Sequence, residues 1–163
     1  MDPKVFQPVK IDRRDRLIAA QLQMDCRQTL AKLSEKLNMR PSTVHERIAR
    51  MEKKGVIEGY KAIMNAEKIG ASVAAFILVS GKPSFHLDKP FLDDQRVMEV
   101  WGVTGRCDVV IKARFKDTEE FSRFVLDFRK RYGDQITDTE TFLATARVKE
   151  TSEKPIQLLE EQE

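Results

Sequence analysis

A chain of 163 residues, 41% hydrophobic and 34% charged, is long enough for one ordinary domain or two small ones with a densely charged surface. No apolar run approaches the roughly 20 residues a membrane helix needs, and the opening MDPKVFQPVK lacks the apolar centre of a signal peptide, so the sequence reads as cytoplasmic. The net charge of +3 is unevenly divided: residues 1–61 hold 14 Lys and Arg against 8 Asp and Glu, whereas residues 62–163 hold 15 against 18, so only the first part suits a polyanion.

The first predicted helix runs from about Asp12 to Gln23, with Leu17, Ile18 and Leu22 at helical spacing. The second follows Thr29, whose hydroxyl suits an N-cap, and continues through Leu30, Leu33 and Leu37. Asn38 tolerates the left-handed backbone that ends a helix. The third helix is carried by MRPSTVHERIARMEKKG, Met39 to Gly55. Pro41 suits a first turn, where its missing N–H would be unpaired anyway. At about 100° per residue, Val44, Ile48 and Met51 fall within about 60° of one another. Ser42, Thr43, Glu46, Ala49 and Arg50 fall opposite, flanked by His45 and Arg47. Only three or four residues from Asn38 separate the second and third helices, which is helix-turn-helix spacing. VIEGYKAI, after Gly55, reads as a short strand, the wing of such a domain.

The polar face of the third helix is free to enter a DNA major groove. Ser42 and Thr43 allow close approach, Glu46 can accept from cytosine N4, and Arg50 can donate to guanine or phosphate. On this reading Ser42, Thr43, His45, Glu46 and Arg50 face bases, while Arg27, Arg40, Arg47 and Lys53 position phosphates. A plain three-helix bundle with a solvated face fits the same pattern.

Farther along, SVAAFILVSG is an apolar strand, and the segment from Lys82 to Gln95 has two prolines and is weakly helical at most. RVMEVWGVT and DVVIKARF read as a hairpin closed at Gly105, Arg106 and Cys107. Asp117, with Glu120 three residues on, caps a helix whose apolar stripe is Phe121, Phe124, Val125 and Phe128. Phe142, Ala144, Ala146 and Val148 alternate along a last strand. The order βαββαβ predicts a ferredoxin-like plait, a four-stranded antiparallel sheet with two helices on one face, and an α+β class overall. The other sheet face needs a cover, and a second copy of the chain is the simplest one.

From Ile11 to Glu150 the sequence resembles the Lrp/AsnC, or feast/famine, transcription regulators. The resemblance rests on Asp12 and Asp15, the Asp25…Arg27 pair, Pro41-Ser42-Thr43-Val44, Arg47-Ile48, Gly55-Val56-Ile57, Gly59-Tyr60, and a second signature in VWGVTGRCDVVIKARFKDTEEFSRFV. TETFLATARVKE resembles the closing strand of the family. Arg40 stands where the family usually has a capping Ser, Cys26 replaces a common Gly, and Cys107 a Tyr or Phe. The two prolines interrupt a helix that is normally continuous.

The resemblance implies residues 1–61 as a winged helix-turn-helix DNA-binding domain and 62–71 as a linker. It further implies 72–150 as an effector-binding and oligomerisation domain; beyond it, TSEKPIQLLEEQE at 151–163 reads from its composition as an acidic, solvated tail. It also implies homodimers formed through the sheet, which can gather into tetramers or octamers. A small effector, commonly an amino acid, is implied at Val103, Thr104, Gly105, Arg106, Cys107 and Asp108. There Asp108 would take an amino group, and the backbone N–H groups near Thr104 and Gly105 a carboxylate. A Gly-x-x-Asp turn also forms without any ligand.

No phosphate loop, metal-ligand cluster or nucleophile motif is present in the sequence, so no catalytic residue, metal or cofactor is expected. His45 and His86 lie in different segments, and Cys26 and Cys107 read as free thiols. The expected function is an effector-responsive, sequence-specific DNA-binding regulator. Two alternatives are an enzyme like the sirohaem decarboxylases, which resemble this family but need His and Arg around a large pocket, and a metabolite sensor without DNA binding.

Overall fold

The computed structural model describes residues 9–148, which form two compact units divided between Ile63 and Met64. The first unit holds α1 (Arg13–Met24), α2 (Leu30–Leu37) and α3 (Pro41–Lys53). Local chemistry sets each end. Asp12 accepts the Asp15 N–H at 2.9 Å, and the Asp15 carboxylate accepts the Asp12 N–H at 3.2 Å, a reciprocal capping box. Thr29 Oγ1 accepts the Lys32 N–H, as its type predicts. Asn38 takes φ 49°, ψ 49°, and the N–H groups of Asn38 and Met39 close on the Glu35 and Ser34 carbonyls. Gly55 does the same for α3: at φ 69° it lets Gly55 and Val56 donate to the carbonyls of Glu52 and Met51.

Ile18, Leu33, Val44 and Met51 form the fully buried centre of this unit, with Leu22, Leu30, Leu37, Ile48, Val56 and Ile57 packed around them. Leu17, expected in the α1 stripe, is 45% exposed instead, because it lies about 100° around the helix from Ile18. The expected wing strand at VIEGYKAI is also not formed. Val56 and Ile57 both turn their N–H groups back to the Met51 carbonyl and their side chains into the helical core, and among the described residues no second strand of this unit pairs with the segment.

The second unit is built from β1 (Val73–Gly81), α4 (Lys89–Leu92), β2 (Val97–Gly102), β3 (Val109–Phe115), α5 (Thr118–Tyr132) and β4 (Ile136–Leu143). All neighbours pair antiparallel in the order β2-β3-β1-β4, the ferredoxin-like plait. Period-two alternation sends Ala75, Ile77 and Val79 of β1 and Ile111, Ala113 and Phe115 of β3 to one face. Phe91 of α4 and Phe124, Phe128 and Tyr132 of α5 cover that face, and Phe91 packs within 6 Å of all three α5 rings. Asp117 caps α5 by accepting the Glu120 N–H at 2.8 Å. Glu120 reaches back one residue farther than the usual box, to the Lys116 N–H.

The proline-bearing segment keeps a single helical turn, α4, capped by Asp88. The last strand lies earlier than expected. β4 ends at Leu143, and only the Ala144 N–H extends its pairing, to the Ala74 carbonyl. Its register brings Leu143 opposite Ala75, so β1 runs out just beyond it. Among the described residues Ala146 has no partner strand, and Val148 is 96% exposed. Lys149, Glu150 and the expected acidic tail lie outside the described residues. On the face away from the helices, Phe76, Trp101 and Phe142 are exposed beside half-buried Leu78 and Val110.

Candidate nucleic-acid interface and effector loop

The short α2–α3 turn leaves α3 with one buried edge, Val44, Ile48 and Met51, and one open face. Ser42, His45, Glu46, Ala49 and Lys53 lie on that face and are all exposed. At about 100° per residue they span roughly 100° centred opposite Val44. Thr43 sits at its margin, half-buried. Arg27, before α2, and Arg40, before α3, are exposed too. Arg40 has the extended backbone of an N-cap, φ −69°, ψ 141°, but its side chain caps nothing.

Arg47 and Arg50, expected to meet DNA, have acid partners within this unit. Both lean onto the N-terminus of α1. Arg47 Nη1 donates to Asp12 Oδ2 at 2.6 Å and to Asp15 Oδ1 at 2.8 Å. Arg50 Nη2 donates to both Asp15 oxygens at 2.8 Å. The Asp15 side chain is only 4% exposed, and such a carboxylate is tolerable only when fully surrounded by donors. The hydrogen bond donated by Arg47 holds the Asp12 carboxyl below its ordinary range, and donating to Asp12 and Asp15 raises the Arg47 guanidinium. On the far side of α3, Tyr60 Oη donates to Glu52 Oε1 at 2.9 Å and ties down the segment that follows the helix.

In the second unit the expected effector residues form one six-residue loop between β2 and β3. The Val103 N–H donates to the Asp108 carbonyl and closes it, and Gly105 takes φ 132°. Val103, Thr104, Gly105, Arg106 and Asp108 are exposed, and Cys107 is half-buried. Asp108 Oδ2 already accepts the Gly81 N–H at 2.9 Å, and the Asp108 N–H reaches the Val79 carbonyl, so the loop is pinned to the end of β1. Arg106 pairs with Glu140 of β4, and its carbonyl accepts from Ser80 Oγ.

Comparison with known proteins matches the two units separately. A family described as "Winged helix-turn-helix DNA-binding" matches residues 11–58, and the "Lrp/AsnC ligand binding domain" matches residues 74–153. The HTH-type transcriptional regulator FL11 of Pyrococcus abyssi is 35% identical over 150 residues, 91% of this chain and 98% of that protein. The chain belongs to the Lrp/AsnC family of transcription regulators. FL11 of Pyrococcus horikoshii is similar at 33% identity over the same shares of each chain. Among solved structures, a transcriptional regulator from Neisseria meningitidis, in complex with L-Met, superposes with a TM-score of 0.78 at 27% identity, covering 91% of this chain and 98% of that one. Escherichia coli AsnC gives 0.74 at 25% identity, covering 87% and 97%.

This Lrp/AsnC protein is therefore a DNA-binding transcription regulator with a ligand-binding domain, and its relatives are regulators rather than enzymes. No helix among the described residues is long and apolar enough to cross a membrane, and no group of His, Cys, Asp or Glu among them is arranged to hold a metal. The residues that sequence reading gave no role are Asp12 and Asp15. The capping box they form is a finding of the structure, and nothing local signals that arginines more than 30 residues away close on it.

Proposed function

We propose that this regulator binds operator DNA as a homodimer through the outward face of α3, under the control of a small effector, an amino acid, at the 103–108 loop. The observation that carries the reading is the α3 face itself: exposed Ser42, His45 and Glu46, with half-buried Thr43 at the margin, on the second helix of a helix-turn-helix. Ser42, Thr43, His45 and Glu46 meet base edges, and Arg27, Arg40 and Lys53 meet phosphates. Two copies would set their recognition helices about 34 Å apart on a palindromic site. The exposed aromatic residues Phe76, Trp101 and Phe142 on the open sheet face support pairing through the sheet, with tetramers or octamers as higher states. Such a protein works in the cytoplasm.

The amino-acid effector is supported by the L-Met complex of the Neisseria protein and by the loop chemistry. Asp108 Oδ1 is left for an ammonium group, while its other oxygen serves the fold. Genome-wide footprinting of the purified protein, with and without the twenty amino acids, tests the whole reading. A few palindromic sites shifted by one amino acid are expected. Sites indifferent to all twenty remove the amino-acid effector, and the absence of any preferred site removes the role assigned to α3.

A further inference from the structure

The recognition helix carries two cations that its outward face does not use. Arg47 and Arg50 reach sideways to Asp12 and Asp15, with all four close contacts at 2.6–2.8 Å. Each carboxylate is itself held in place by the α1 capping box, so the anions cannot swing away from the helix that fixes them. A carboxylate presents to guanidinium the same pair of anionic oxygens that a DNA phosphate does. The α1 carboxylates and the DNA backbone therefore compete for the same donors.

Phosphate contacts raise affinity for every sequence alike and carry no sequence information. Two free arginines on a recognition helix, in a part of the chain already rich in Lys and Arg, would strengthen binding everywhere and blunt discrimination. We propose that Asp12 and Asp15 determine specificity by occupying Arg47 and Arg50 in place of phosphate. Ser42, His45 and Glu46 then dominate the contact with DNA. Asp12 and Asp15 are positioning residues, since neither touches DNA. The inference rests on α3 being the DNA-reading helix.

The test measures fluorescence-anisotropy binding to a random duplex and to a footprinted site from about 50 to 200 mM salt. It compares the wild type with D12N, D15N, D12N/R47A and D15N/R50A, and circular dichroism reports folding. D12N is the safe variant, because Asn caps a helix as well as Asp does. D12N is expected to tighten random-duplex binding about threefold and D15N about tenfold, with the salt slope steeper by up to about 0.9 for each arginine released. The preference for the footprinted site narrows, and each added arginine-to-alanine change abolishes the gain.

A merely structural pair behaves differently. Binding to both duplexes would weaken together as melting temperature falls, with an unchanged salt slope, and that result overturns the proposal. So does a folded D12N protein with wild-type affinity and slope. A wild-type protein that binds neither duplex is a separate failure: it overturns the reading of α3 and this inference with it.

Discussion

Single residues decide how α3 is held. Arg40 occupies its N-cap with suitable backbone but offers no acceptor, so the first-turn N–H groups lack a side-chain partner. Arg40→Ser is expected to add about 0.5–1 kcal/mol of stability in urea unfolding. An unchanged or lowered midpoint would mean that first turn is already satisfied. Asp12 makes a pH-dependent contribution whose sign follows from its lowered pKa. An acid with a depressed folded pKa stabilises above its unfolded pKa, near 3.8, and loses that contribution as pH falls through the folded value. The melting-temperature gap between wild type and Asp12→Asn should therefore close as pH drops from about 5 to 2. A gap constant across that range would show that the Arg47 pair contributes nothing to folding.

At the scale of elements, helix ends and core stripes were legible because their causes lie within four residues. Thr29, Asn38, Pro41, Gly55 and Asp117 all act at the positions their side-chain or backbone chemistry predicts. The Phe124 and Phe128 stripe follows from helical spacing alone, and both rings are 4% exposed. Phe128→Ala is expected to cost about 3–5 kcal/mol in urea unfolding, because Phe91 and Tyr132 lose their ring partner and a cavity remains. A loss under about 1 kcal/mol would mean the aromatic cluster collapses around the gap. The wing and the last strand were misplaced for the opposite reason. VIEGYKAI and TETFLATARVKE both carry strand-like patterns, but a strand exists only where another strand offers its ladder. β4 ends opposite Ala75, two residues short of the end of β1, and its polar opening, ITDTET, hides an edge strand whose pairing partner lies 55 or more residues away.

At the scale of the molecule, the second unit has a sheet with one covered face and one open face, on which Phe76, Leu78, Trp101, Val110 and Phe142 lie among the charged Glu99, Lys112 and Glu140. Phe76 lies on the central strand β1, 38% exposed, with Phe142 of β4 opposite it in register. An aspartate there would put an unpaired charge into the sheet-to-sheet contact proposed above. Phe76→Asp is therefore expected to turn a dimer into a monomer in analytical ultracentrifugation, with the β-sheet circular dichroism retained. A dimer that survives the change would move the interface off this face.

Periodicity and local side-chain chemistry are enough for the three helices, the helix ends at Thr29, Asn38 and Gly55, the helix-turn-helix spacing and the order of the plait, and they single out the candidate residues of α3 and of the 103–108 loop. These are local matters of periodicity and of side chains acting on their own turn. Tertiary structure alone decided that Arg47 and Arg50 answer to Asp12 and Asp15, that one Asp108 oxygen is taken by Gly81, and that the segment after Gly55 folds back without forming a strand. An arginine on an outward-looking helix carries the same charge whatever it faces. Which anion it meets depends on chain brought alongside from 32 to 35 residues away, and no spacing within the helix encodes that.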